Sequence, residues 1–165
     1  MIEYKNKIIN LLESNIKIRL ATVNSAVIPR IATVGFVNDN ETVYILAEKK
    51  SEQVCDVRFN NRIAFTVEER NGDEADLPAA NIEAEASLID SPYEVIVVCA
   101  KYLRKYPSLK KFPFAPGMLI VKIEPIECVY IDIAEERNSI REINCKFNLK
   151  GLFSRGIVNE LFDNK

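Results

Sequence analysis

The sequence predicts a mainly β domain with flanking helices, its strands closed into a barrel. Three observations carry that expectation. Short runs alternate apolar and polar residues with a period of two, as in Ile16–Val23 and Arg62–Glu68, which marks strands with one buried face. Most links between these runs are of hairpin length, so neighbouring strands run antiparallel. About seven such strands in a chain of 165 residues suit closure, since a closed sheet has no bare edges.

Taken in order, Tyr4, Ile8, Ile9 and Leu12 recur at helical spacing, so residues 3–14 read as an amphipathic helix. Ile16–Val23 is the first strand, and Asn24-Ser25 its turn. Ile31–Val37 and Thr42–Ala47 form a hairpin about Asn38-Asp39-Asn40. A short helix then begins at Ser51, carries Val54 and Val57 on one face and stops at Asn60-Asn61. Arg62–Glu68 is the fourth strand, residues 69–78 an exposed acidic loop, and Asn81–Ile89 the fifth strand. Ser91, Pro92 and Glu94 supply an N-cap, an N1 proline and an N3 acid for a helix that runs to about Tyr106, before Pro107. Met118–Ile123 and Glu127–Ile133 read as two further strands either side of Pro125. Residues 1–133 thus make one domain. The extension 134–165 carries Leu149, Leu152, Phe153, Ile157, Val158, Leu161 and Phe162, too apolar for a free end, so it packs on the barrel or on another subunit.

Composition narrows the function. Hydrophobic residues make up 48% and charged residues 28%, a balance that suits a globular domain with a sizeable core. The formal net charge of −2 provides no bulk attraction to nucleic acid or anionic membrane, so neither is an expected partner. The N-terminus is broken by Glu3, Lys5, Lys7 and Glu13, and the longest uncharged apolar run is Val95–Ala100. Neither a signal segment nor a membrane span is expected, and the expected location is the cytoplasm. Cys55, Cys99, Cys128 and Cys145 show no Cys-x-x-Cys pairing and read as buried thiols. The chain has no histidine. That excludes Ser-His-Asp and Cys-His catalysis, histidine zinc sites and axial histidine ligation of haem.

The stretch Leu46–Ser51, LAEKKS, stands out. An apolar strand ends in two lysines and a serine that caps the next helix. Free N–H groups and the helix dipole at such a terminus, with lysines alongside, form a seat for a phosphate; the plainer reading is a capped surface helix with solvated lysines. Glu68, Glu69, Asp73, Glu74 and Asp76 lack the ligand rhythm of a cation loop and read as a solvated turn, so no metal site is expected. In Lys101–Lys111 the tyrosines fall at helical spacing toward the core and the lysines face water, against a nucleic-acid reading. Phe112–Gly117 is either a rigid connector or a lip with Phe112 or Phe114 over a ligand. Arg30 reads equally as a ligand contact and as a surface salt bridge.

In order and wording, residues 5–133 resemble the pyridoxamine 5′-phosphate oxidase-like FMN-binding split-barrel family, through LATVNSAVIPRIATVGFV, TVYILAEKKSEQVCDVRFNNRIAFTVEE and IEAEASLID followed by the capped helix. The resemblance implies a split β-barrel homodimer holding FMN in a groove between chains. The expected function is that of a flavin-dependent oxidoreductase of an unknown small molecule, where a small conjugated or nicotinamide-type partner would suit an open groove. Ile31, Ala32, Thr33 and Val34 would contact the flavin ring through their backbone. Leu46, Ala47 and Glu48 would line the ring and ribityl chain, and Ser51 with its helix would hold the phosphate. Members usually carry a lysine or arginine where Gln53 stands, and often a basic residue where Glu52 stands, so Lys49 and Lys50 are expected to compensate. Ala84 replaces a glycine of the family's word. The late Arg-x-His word of members that oxidise pyridoxamine phosphate has no match, so that activity is not expected. No catalytic side chain is singled out. A non-catalytic FMN or electron carrier, and a barrel binding another planar cofactor such as deazaflavin, remain alternatives.

Overall fold

The computed structural model describes residues 2–69, 78–109, 116–134 and 139–146. Its elements are α1 (Ile2–Ser14), β1 (Lys17–Val23), β2 (Pro29–Asp39), β3 (Thr42–Glu48), α2 (Glu52–Phe59), β4 (Arg62–Glu68), β5 (Ala79–Leu88), α3 (Pro92–Lys105), β6 (Met118–Ala134) and β7 (Ser139–Lys146). The strands pair antiparallel in the order β3-β2-β1-β4-β5-β6-β7, and a further β3–β6 pairing closes the first six into a barrel. The expected β-rich barrel with flanking helices is the observed one.

Each barrel strand turns one side chain in two inward. β1 and β4 bury Ile18, Leu20, Ile63, Phe65 and Val67, while β5 buries Ala80, Ile82, Ala84 and Ala86. Ile8, Leu11 and Leu12 of α1 and Val54 and Val57 of α2 join the same core. α3 packs instead on the outside of β2, β3 and β6, where Val98, Cys99 and Tyr102 meet Val37, Tyr44 and Ile120. Its start is as the sequence predicts: Ser91 accepts a hydrogen bond from the Glu94 N–H at 3.4 Å, with Pro92 in the first helical turn.

Two expectations need correction. The strands predicted on either side of Pro125 are one strand, β6. Glu83 pairs with Glu127 and Ala84 with Pro125, so Ile126 is an extra residue at a bulge. A bulge tolerates a proline because the ladder is already interrupted there. The seventh strand is β7, from the segment assigned to the extension, and it pairs along the second half of β6. Residues 147–165, with the apolar positions noted above, lie outside the described residues, as do residues 70–77 and Phe112 and Phe114.

The turns follow local chemistry. The Asn24 side-chain oxygen accepts hydrogen bonds from the Ala26 and Ile28 N–H groups, both at 2.9 Å, which widens the expected two-residue turn to Asn24–Ile28. Asn40 adopts φ 52° at the β2–β3 hairpin, a conformation asparagine tolerates better than most residues.

Candidate functional site

β2 does not keep one pair of neighbours along its length. From Pro29 to Gly35 it pairs with β1, and from Phe36 to Asp39 with β3. Beyond Ile45, β3 leaves β2 and pairs Leu46, Ala47 and Glu48 with Ile120, Leu119 and Met118 of β6. A cleft therefore opens between the first half of β2 and the end of β3. Along it, β2 has ladder partners on the β1 side only among the described residues.

The corner after β3 lies at one end of this cleft. The Lys49 N–H donates to the Gly117 carbonyl at 2.8 Å and the Ser51 N–H to the Glu48 carbonyl at 2.9 Å, which ties the turn to the start of β6. Ser51 is the N-cap of α2, and its hydroxyl oxygen accepts from the Val54 N–H at 3.4 Å. Glu48, Lys49 and Lys50 are exposed, and neither lysine forms an ion pair among the described residues.

Of the residues assigned to the flavin, Ile31 and Thr33 point outward and are exposed, whereas Ala32 and Val34 are half-buried, Val34 against the barrel core. Leu46 packs toward α3, Ala47 is buried in the core, and Gln53 is half-buried. The two stretches lie on either side of the point where β2 and β3 part, and a salt bridge links the start of β2 to α2. Arg30 on β2 lies 3.4 Å from Glu52 in the first turn of α2 and 3.3 Å from Asp56. Asp56 is only 3% exposed, and its other oxygen accepts a 2.7 Å hydrogen bond from the Thr22 hydroxyl. The salt-bridge reading of Arg30 is met, with one partner, Asp56, buried rather than at the surface. The formal charges of Glu48, Lys49, Lys50, Glu52, Asp56 and Arg30 cancel, so the corner presents N–H groups and two free lysines without net positive charge.

Beside the cleft, the outer face of β1, β2, β4, β5 and β6 holds a concavity of about 620 Å³. Register places Ile31, Ala21, Ala64, Glu83 and Glu127 in one row across it. Thr33, Arg19, Thr66, Asn81 and Val129 form the next row. Ile31 is 78% exposed here. Arg19 pairs with Glu68, and Arg62 with Glu85 at 2.9 Å, and the floor mixes the small and apolar Ala21, Ile31, Ala64 and Val129 with the carboxylates of Glu83 and Glu127.

Sequence reasoning missed the Arg30–Glu52–Asp56–Thr22 cluster, although an acid at Asp56 between the apolar Val54 and Val57 was a visible signal. It also placed Cys55 inside the protein, whereas the thiol is exposed because Val54, Asp56 and Val57 take the inner face of α2. Cys99 and Cys128 are buried as expected. Lys105 differs too. Its ammonium donates to the Leu12 carbonyl at the end of α1 at 3.1 Å and lies 3.8 Å from the centre of the Phe36 ring. Burial lowers its pKa to about 8, against a smaller opposing pull from Glu13. Among the described residues, no cluster of histidine, cysteine or acid side chains suits a metal ion. No helix among them is long and apolar enough to cross a membrane.

No protein-family model matches the sequence, and no curated protein matches it. Solved structures do match in shape. A Listeria innocua protein named as a candidate pyridoxamine 5′-phosphate oxidase superposes with a TM-score of 0.65 at 18% identity, over 82% of this chain and 99% of that one. General Stress Protein 26 from Bacillus anthracis gives 0.65 at 19% identity, over 88% and 99%. The haem storage protein HutZ from Vibrio cholerae gives 0.62 at 15% identity, over 73% and 88%. A barrel of six antiparallel strands that splits between β2 and β3, matched over nearly the whole length of two such proteins, is the split-barrel fold of the pyridoxamine 5′-phosphate oxidase-like proteins.

Proposed function

We propose that this chain binds FMN in the β2–β3 cleft, at the interface of a homodimer, and serves as a flavin-dependent oxidoreductase of a small molecule. The observation that carries the reading is the cleft itself, where a strand edge leads to a capped helix N-terminus with two lysines, the edge lacking a second ladder partner and the lysines lacking ion pairs among the described residues. The backbone of Ile31–Val34 suits the ring edge of a flavin, which presents hydrogen-bond donors and acceptors in one plane. Leu46, Ala47 and Glu48 would follow the ribityl chain. Ser51, Gln53 and the first N–H groups of α2 would take the phosphate, with Lys49 and Lys50 offsetting Glu48 and Glu52. The apolar part of the floor, around Ile31, Ala21, Ala64 and Val129, supports a second copy of the chain closing over the ring. Bound flavin would supply the redox chemistry, and the protein would bind it, orient it and exclude water.

The absorption spectrum of freshly purified protein tests the reading. Flavin absorbance in the preparation, or on adding FMN, is the expected result. A colourless protein that takes up neither FMN nor a deazaflavin overturns it. A Soret band would point instead to haem, the ligand named for the HutZ neighbour. Reduction of bound flavin by NADH or NADPH without air supports an oxidoreductase with a nicotinamide partner; inertness to both favours a flavin carrier.

A further inference from the structure

Where β2 changes partner, the first rung left unfilled on each side is taken by a tyrosine hydroxyl, one from α3 and one from the residue that caps its C-terminus. On the β3 side, the rung after Phe36↔Ile45 would join Gly35 to Leu46. The Tyr102 hydroxyl sits there instead. It accepts from the Leu46 N–H at 3.1 Å and lies 2.9 Å from the Tyr44 carbonyl and 3.2 Å from that of Gly35, the acceptors for its proton. On the β1 side, the rung after Lys17↔Gly35 would join Ile16 to Phe36. The Tyr106 hydroxyl occupies that place, accepting from the Phe36 N–H at 2.9 Å and facing the carbonyls of Ile16 and Phe36. The two rings, one helical turn apart, stack with centroids 5.6 Å apart. Gly35 permits this, since a Cβ there would stand 3.2 Å from the Tyr106 oxygen.

We infer that Tyr102 is a positioning residue for the cofactor cleft: its hydroxyl takes the Gly35–Leu46 rung and so keeps β3 from zipping onto β2 where the ring would enter. Tyr106 does the same work on the far side of β2, where no cleft opens. The two tyrosines therefore separate a structural role from a positioning one. The inference rests on the flavin reading for its ligand but on backbone geometry alone for the splay. Without the Tyr102 hydroxyl, the Leu46 N–H either bonds Gly35 directly, which narrows the cleft, or loses its partner. The first displaces Leu46, Ala47 and Glu48 toward β2; the second leaves them held by β6 alone.

The test compares Tyr102→Phe with Tyr106→Phe in the full chain. FMN affinity is read by fluorescence quenching, and hydrogen exchange of the Leu46 and Phe36 amides by NMR. Tyr102→Phe is expected to change Leu46 exchange and weaken FMN binding, each by about tenfold, the worth of one hydrogen bond. Tyr106→Phe is expected to change Phe36 exchange by a similar factor and leave FMN affinity within about twofold. Equal loss of FMN binding in both variants would show a general structural role and overturn the inference, as would unaltered FMN affinity in Tyr102→Phe. A wild-type chain that binds no FMN overturns the flavin reading alone, because Leu46 exchange still reports whether Tyr102 holds the splay.

Discussion

Asp56 shows how a single side chain can join function and stability at this corner. A carboxylate 3% exposed is tolerable only with partners, here the Thr22 hydroxyl and the half-exposed Arg30 guanidinium. Asp56→Ala should cost roughly 1–3 kcal/mol, kept below a fully buried pair because Arg30 can rehydrate; urea unfolding measures it. Lys49 and Lys50 have no such structural duty. The double Lys49→Ala, Lys50→Ala variant should keep wild-type stability and weaken FMN binding by at least about tenfold, the loss of one or two charge-assisted contacts. Unchanged FMN affinity would remove both lysines from the proposed phosphate seat. Lys105 sets a pH dependence. Its pKa falls from 10.5 unfolded to about 8 folded, so between those values the unfolded chain binds more protons and stability rises with pH. The gain is up to about 3 kcal/mol at about 1.4 kcal/mol per unit. Burial raises the Tyr102 pKa above 10, so its contribution is complete below pH 10 and lost above it. In urea titrations Lys105 should thus add a rise from about pH 8, opposed at higher pH by Cys99, Tyr44, Tyr102 and Tyr106, whose pKa values burial raises, and Lys105→Met should abolish that rise.

α3 and β6 mark the limits of reading elements from local pattern. α3 was legible because its start is local chemistry: Ser91 capping, Pro92 and Glu94 lie within four residues. Ser91→Ala should cost about 1 kcal/mol, measured by thermal or urea unfolding, as for other N-caps. β4 was legible in full, since its alternation runs unbroken from Arg62 to Glu68. β6 was not. Pro125 reads locally as a strand end, and only pairing with β5, which absorbs Ile126 in a bulge, shows that the strand continues. The same holds for the role of Tyr102 and Tyr106. Their spacing announced an inward face, but the strand rungs their hydroxyls fill come from residues 56 to 90 positions away.

In the whole molecule, α3 covers one outer face of the barrel, while among the described residues none covers the face of Ile31, Ala21, Ala64 and Val129. Two exposed hydrophobic residues of the neighbouring turn, Val27 and Ile28, add to it. If a second copy packs there, light scattering should report twice the monomer mass. Ala64→Arg, which places a charge on the floor away from the phosphate corner, should then give monomers that bind FMN weakly. A monomeric wild-type chain that still binds FMN tightly would remove the interface from the proposal.

By itself, the sequence determined the β-rich barrel, the order of its elements, the Ser51 and Ser91 caps and the exclusion of histidine chemistry, because alternation, capping and composition act over a few neighbouring residues. Only the tertiary structure decided where β2 changes partner, how Arg30 is neutralised, that Cys55 is exposed, and which sheet face the described residues leave uncovered. Those features depend on groups distant in the chain meeting across strands, and no short-range pattern encodes such meetings.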